Sequence, residues 1–138
     1  MNTEINFYEV DESIIKALAP VLIKIVNEGK KALIYCASEA QMQEIDKSLW
    51  SYGRSKFIAH ITINDQEFEM LRQPILITNR QVNDNLATHL IFLDEPDKSF
   101  VEQFSRAFYF YENQPNIANI SPHNSYRKEN GKWQKISK

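Results

Sequence analysis

The chain has 138 residues, 43% of them hydrophobic and 25% charged, with a net charge of -2. That balance describes a globular chain with enough apolar surface for one core, and it excludes disorder and any general attraction to nucleic acid or anionic membrane. The lone cysteine, Cys36, excludes an intrachain disulfide and a zinc site built on thiolates. Met1 to Glu4 lacks the basic-then-apolar pattern of a signal peptide, and every apolar run is too short for a bilayer, so a cytoplasmic protein is expected.

Ile5 to Val10 is rich in β formers and predicts the first strand. Ile14, Leu18, Leu22 and Ile25 then recur at helical spacing, giving an amphipathic helix that Gly29 ends. Pro20 lies inside that pattern, where it starts a shorter helix or kinks a longer one. Ala32 to Cys36 is a near-continuous apolar run, the mark of a strand covered on both faces. Cys36 within it is expected to be a small buried hydrophobe. Ser38 with Gln41 forms a capping box, and the helix it opens carries Met42, Ile45 and Leu49 on one side. Further strands are predicted over Phe57 to Ile63, Pro74 to Thr78 and His89 to Leu93. Asp97 can cap a helix through Phe100, Val101, Phe104 and Phe108, which puts Tyr109, Phe110 and Tyr111 at a helix end. Gln114 to Asn124, with Pro115 and Pro122, links this core to a C-terminal piece. From Tyr126 to Lys138 that piece has five bases and one acid.

This alternation predicts an α/β fold. The expected form is a single three-layer α/β/α domain over residues 1–138, with a mainly parallel central sheet, Rossmann-like but without a P-loop.

The chemical inventory is poor. Leu90 to Leu93 followed by Asp94 and Glu95 is similar to the magnesium-binding strand end of a nucleotide hydrolase. The glycine-rich phosphate cradle is missing, however, and the first strand–helix junction carries acids that repel a triphosphate. The pair suits a solvated strand end. His60, His89 and His123 have no metal-site spacing, and no serine-hydrolase elbow is present. No catalytic residue, metal or cofactor is assigned.

The binding inventory is richer. Trp50 and Phe57 flank Arg54 and Lys56 in a segment expected to follow a helix and precede a strand. Exposed together, they suit a partner with an apolar anchor and a carboxylate; buried, they cap the core. Tyr126, Arg127 and Lys128, then Lys132 and Trp133, interleave rings with bases. Such a pattern stacks nucleic-acid bases, holds an acidic peptide with an apolar tip, or remains a solvated tail.

Most of the chain resembles the chi subunit family of bacterial DNA polymerase III. Phe7-Tyr8 is similar to the family's Phe-Tyr start, and Asn27-Glu28-Gly29-Lys30-Lys31-Ala32-Leu33-Ile34 to its helix, turn and second strand. Ile45-Asp46-Lys47-Ser48-Leu49-Trp50, then Phe57 and His60, resembles its Leu-Asp-x-x-Leu-Trp, Phe and Pro-His block. Gln73-Pro74-Ile75-Leu76-Ile77-Thr78, Phe104 with Arg106, and Trp133-Gln134 also fit. The resemblance implies a non-catalytic clamp-loader accessory protein with a degenerate nucleotide-binding-like fold. It implies that the chain holds the acidic, apolar-tipped C-terminal tail of single-stranded DNA-binding protein and contacts DNA only indirectly. Many members also pair with a psi subunit. By the same resemblance Trp50 and Phe57 line the tail pocket with Tyr111 near it, and Tyr126, Arg127 and Lys128 form an aromatic-basic wall from the last helix. One departure is visible: Ala118 to Pro122 interrupts that last helix, because proline cannot continue it.

Overall fold

The structure, a computed structural model, describes residues 3–11, 13–52, 60–65, 73–130 and 132–136. In chain order these form β1 (Glu4–Val10), α1 (Ile14–Asn27), β2 (Ala32–Tyr35), α2 (Glu39–Ser51), β3 (Ile61–Thr62), β4 (Ile75–Thr78), β5 (His89–Phe92), α3 (Lys98–Val101), β6 (Arg106–Glu112), β7 (Asn124–Glu129) and β8 (Lys132–Ile136). The strands make one eight-stranded sheet in the order β3-β4-β2-β5-β6-β1-β7-β8. Every pairing is parallel except that of β7 with β8. The expected α/β fold with a mainly parallel sheet is therefore present.

The pleat sends alternate side chains to opposite faces, and each face has its own core. On one side Ile34, Ile77, Ile91, Phe108 and Phe110 meet Leu18 and Leu22 of α1 and Met42 and Leu49 of α2. On the other, Leu33, Leu90, Phe92 and Tyr109 meet Phe100, Val101, Phe104 and Ile120. Burial of Cys36 follows from its place on the first face, and it is a free thiol with no exposed surface.

The helix ends follow local rules. The Ser38 hydroxyl accepts the Gln41 backbone N–H at 3.1 Å, as a capping box requires. At the end of α1 Gly29 has φ +75°, Gly29 N–H donates to the Val26 carbonyl, and Lys30 N–H donates to that of Ile25. This is a Schellman ending, and the left-handed residue in it favours glycine. Pro20 lies inside α1, past its first turn, so the longer of the two expected helices forms.

Two expectations are corrected. The helix foreseen from Asp97 through Phe108 is the short α3, and Arg106 to Glu112 is strand β6. Phe100, Phe104 and Phe108 mimic a helical repeat, but from Arg106 the period-two burial of Ala107, Tyr109 and Tyr111 on one face and Phe108 and Phe110 on the other prevails. Tyr109, Phe110 and Tyr111 consequently stand in the sheet and not at a helix end. Second, Tyr126, Arg127 and Lys128 lie on a strand and not on a last helix. Their segment pairs with β8 around Asn130-Gly131, the dipeptide that two-residue hairpin turns favour, and Asn130 has the φ of +52° such turns need. The linker before β7 is fastened: Glu95 accepts the Ala118 and Asn119 N–H groups at 3.1 and 2.7 Å, and His123 N–H donates to the Ile5 carbonyl at 2.7 Å.

Candidate partner-binding surface

Trp50 lies in the last turn of α2 and is 52% exposed. It is nonetheless held in place. Its Nε1–H donates to the Asp46 carboxylate at 3.1 Å, and His60 Nε2 lies 3.0 Å from the same carboxylate oxygen. The indole and imidazole centroids are 4.3 Å apart, and His60 itself is 2% exposed. A one-turn spacing on a helix sets Asp46 beside Trp50. A buried ring and a shared carboxylate thus hold a large apolar side chain open to solvent. Phe57, the second ring expected here, lies outside the described residues.

The remaining expected residues are elsewhere. Register pairs Tyr8 with Phe110 on one side and Tyr126 on the other, and Tyr126 with Lys135. On the α1 face, Tyr8 is stacked between Phe110 at 5.0 Å and Tyr126 at 5.1 Å, with Trp133 edge-on at 5.1 Å. Lys128 adds its ammonium 5.3 Å from the centre of the Trp133 ring. Alternation carries Arg127 to the opposite face, where it pairs with Glu9 at 3.3 Å. Tyr111 is on that second face too, 8% exposed and packed against Phe7 and Tyr109. Burial pushes its phenol above the ordinary value, with the Glu9 charge acting in the same direction.

The structure therefore divides the expected residues among three places. Trp50 is near β3, at one end of the sheet; Tyr126 and Lys128 are at the other end on the α1 face; Arg127 and Tyr111 are behind them. Five strands separate β3 from β7. At a spacing of about 4.8 Å per strand the two ends are roughly 29 Å apart, too far for a single pocket.

Residues that sequence reasoning did not single out complete the far end. Tyr8 supplies the centre of the ring ladder, and α1 borders a hollow of about 300 Å³ lined by Tyr8, Lys24, His89, Arg106 and Trp133. The Asn-Gly turn was the signal for it, since pairing Lys128 with Trp133 requires the hairpin. A larger hollow, about 590 Å³, opens near the start of β1, but its rim mixes Glu4 and Glu102 with Lys98 and His123.

The acids at the end of β5 have structural partners. Asp94 accepts the Ala37 N–H at 2.8 Å, and Glu95 holds the linker. Cys36 has its thiol pushed up to about 12, first by burial and then by the Asp94 charge, so it is a poor nucleophile at neutral pH. Among the described residues no group of three or more potential ligands is placed to hold a metal, and no helix is long and apolar enough to cross a membrane.

Residues 2–131 match the model of the family described as DNA polymerase III chi subunit, HolC. The chain is 27% identical over 107 residues to a Rickettsia prowazekii protein named "Probable DNA polymerase III subunit chi", covering 72% of this chain and 64% of that one. It is 28% identical over 108 residues to the "DNA polymerase III subunit chi" of Pseudomonas aeruginosa, covering 75% of this chain and 73% of that protein. The match thus spans a little under two thirds of the first relative's length.

Proposed function

The chain belongs to the DNA polymerase III chi subunit family, and from that membership we propose that it is a non-catalytic adaptor of the replicative polymerase. It links the clamp loader to single-stranded DNA-binding protein by holding that protein's acidic C-terminal tail. It acts in the cytoplasm, meets DNA only through that partner, and reaches the loader directly or through a psi subunit.

The observation that carries this reading is Trp50, a tryptophan 52% exposed yet fixed by Asp46 and His60. Ordering a large ring in solvent ordinarily sacrifices hydrophobic stabilisation, and a partner's apolar tip recovers it. Phe57 follows in sequence, with Arg54 and Lys56 between the two rings to meet carboxylates. The tail site proposed is therefore Trp50 with Phe57. Tyr126, Lys128, Arg127 and Tyr111 stand too far along the sheet to share that contact, and they serve the tail only where it runs on across the domain.

Burying one apolar tip contributes about 2 kcal/mol, and rim charges contribute less each. Titration of a fluorescent acidic tail peptide should show micromolar affinity that weakens as salt is raised. Trp50→Ala should weaken it about tenfold or more. Unchanged affinity in that variant would refute the site; no binding by the unaltered protein would refute the function.

A further inference from the structure

The Asp46 carboxylate lies at the foot of the Trp50 ring and brings more there than a hydrogen bond requires. Its Oδ1 accepts the indole N–H at 3.1 Å and lies 3.0 Å from His60 Nε2. The same Nε2 is 3.1 Å from the Asp46 carbonyl oxygen, so with two acceptors against it that nitrogen carries the proton. An indole has one donor, and here it is committed. Trp50 therefore offers a partner its apolar surface and leaves the N–H with Asp46.

The carboxylate is not sealed beneath the ring. The Asp46 side chain is 30% exposed, whereas that of His60 is fully covered. A neutral amide oxygen would accept the same two hydrogen bonds, so the negative charge is surplus to holding the ring. Its effect falls on whatever rests against Trp50. Glu39, two turns earlier on the same side of α2, extends the negative charge along that side, where it accepts an Asn64 side-chain N–H at 2.8 Å.

A peptide ending in an apolar residue carries its terminal carboxylate on the same Cα as the apolar side chain. Seating that side chain on the indole sets the carboxylate within a few ångströms of the ring. On the Asp46 side two like charges would then face each other at the edge of water, a cost of about threefold in affinity. Turned the other way, the peptide avoids it.

We propose that Asp46 is a specificity-determining residue of the Trp50 contact. Its charge repels the terminal carboxylate of the tail and favours the orientation in which that group points away from Asp46 and Glu39. The inference rests on the tail reading above and adds to it the direction in which the tail lies. An acid beside the anchor ring lowers affinity for an acidic peptide, and in exchange it selects against acids in the wrong place.

The test uses two dye-labelled acidic peptides of one sequence ending in phenylalanine, one with a free terminal carboxylate and one amidated. Both are titrated by fluorescence anisotropy, and the ratio of the two affinities is read within each variant, so any general loosening of the ring cancels. Asp46→Asn removes the charge and keeps the acceptor oxygen. It should tighten the free-acid peptide about threefold with little gain for the amidated one, and so raise the ratio by about that factor. Asp46→Ala should raise the ratio equally, because charge and not shape sets it. Glu39→Gln removes the same charge two turns away and should leave the ratio nearly unchanged. An unchanged ratio in Asp46→Asn, or an equal rise in Glu39→Gln, would overturn the inference and leave the tail site standing. Binding of neither peptide by the unaltered protein or its variants would overturn the tail reading, and this inference with it.

Discussion

β2 and β7 belong to the same sheet and have opposite characters. All four residues of β2 are buried, and none of the six residues of β7 is. β2 lies between β4 and β5, with α1 and α2 above and the α3 layer beneath, so both faces are covered and apolar residues fill every position. β7 lies near the end of the sheet, where Tyr126 stacks on Tyr8 and Arg127 pairs with Glu9 without either being buried. The buried apolar contacts concentrate in the centre, and the ring residues proposed to meet partners, Trp50 and Tyr126, stand at the two ends. One sheet can thus separate folding from recognition.

The sharpest contrast is chemical. A thiol pushed up to about 12 from 9.0 has about a thousandfold less thiolate at pH 8. Cys36 in the native protein should therefore resist alkylation under conditions where a cysteine introduced by Tyr126→Cys reacts at once; equal rates would break the comparison. The next contrast is energetic. Ile34, without exposed surface and paired with Ile77 and Ile91, should lose about 2–5 kcal/mol on Ile34→Ala, read by urea unfolding. Tyr126→Ala removes one stacked contact and should cost about 1 kcal/mol. Similar losses would place structural weight at the end of the sheet as well.

The smallest effect concerns Glu4, at the exposed start of β1. The Asn6 side chain donates to it at 3.0 Å and Arg106 lies 3.2 Å away, which holds its carboxyl below the ordinary 4.5 despite an opposing contribution from burial. A depressed carboxylate stabilises the fold above its unfolded value, and that contribution fades as pH falls through the lower folded one. Glu4→Gln should therefore cost a little stability near neutrality and slightly flatten the loss of stability below pH 4.5. The effect is small because the carboxylate is half exposed.

Features governed by neighbours in sequence were legible before the fold was known. Ser38 with Gln41 and Gly29 are local signals, and the helix ends obey them. Phe104 and Phe108 misled because their spacing fits a helix, while the paired strands β1 and β5 on either side impose an extended chain. Trp50, Tyr126 and Lys128 were recognisable by type as candidate binding residues. Their grouping was not, because strand order and pleat decide which of them share a surface.

By itself, the sequence determined the α/β class, the buried centre, the absence of a phosphate cradle and the residue types open to a partner. These depend on periodicity and composition, which are properties of short stretches. Only the tertiary structure decided that Trp50 and Tyr126 are at opposite ends, that Arg127 turns away from Lys128, and that α1 closes a slot against Trp133. Those relations arise from strand order and alternating side chains in a sheet assembled from distant segments, and no local pattern encodes them.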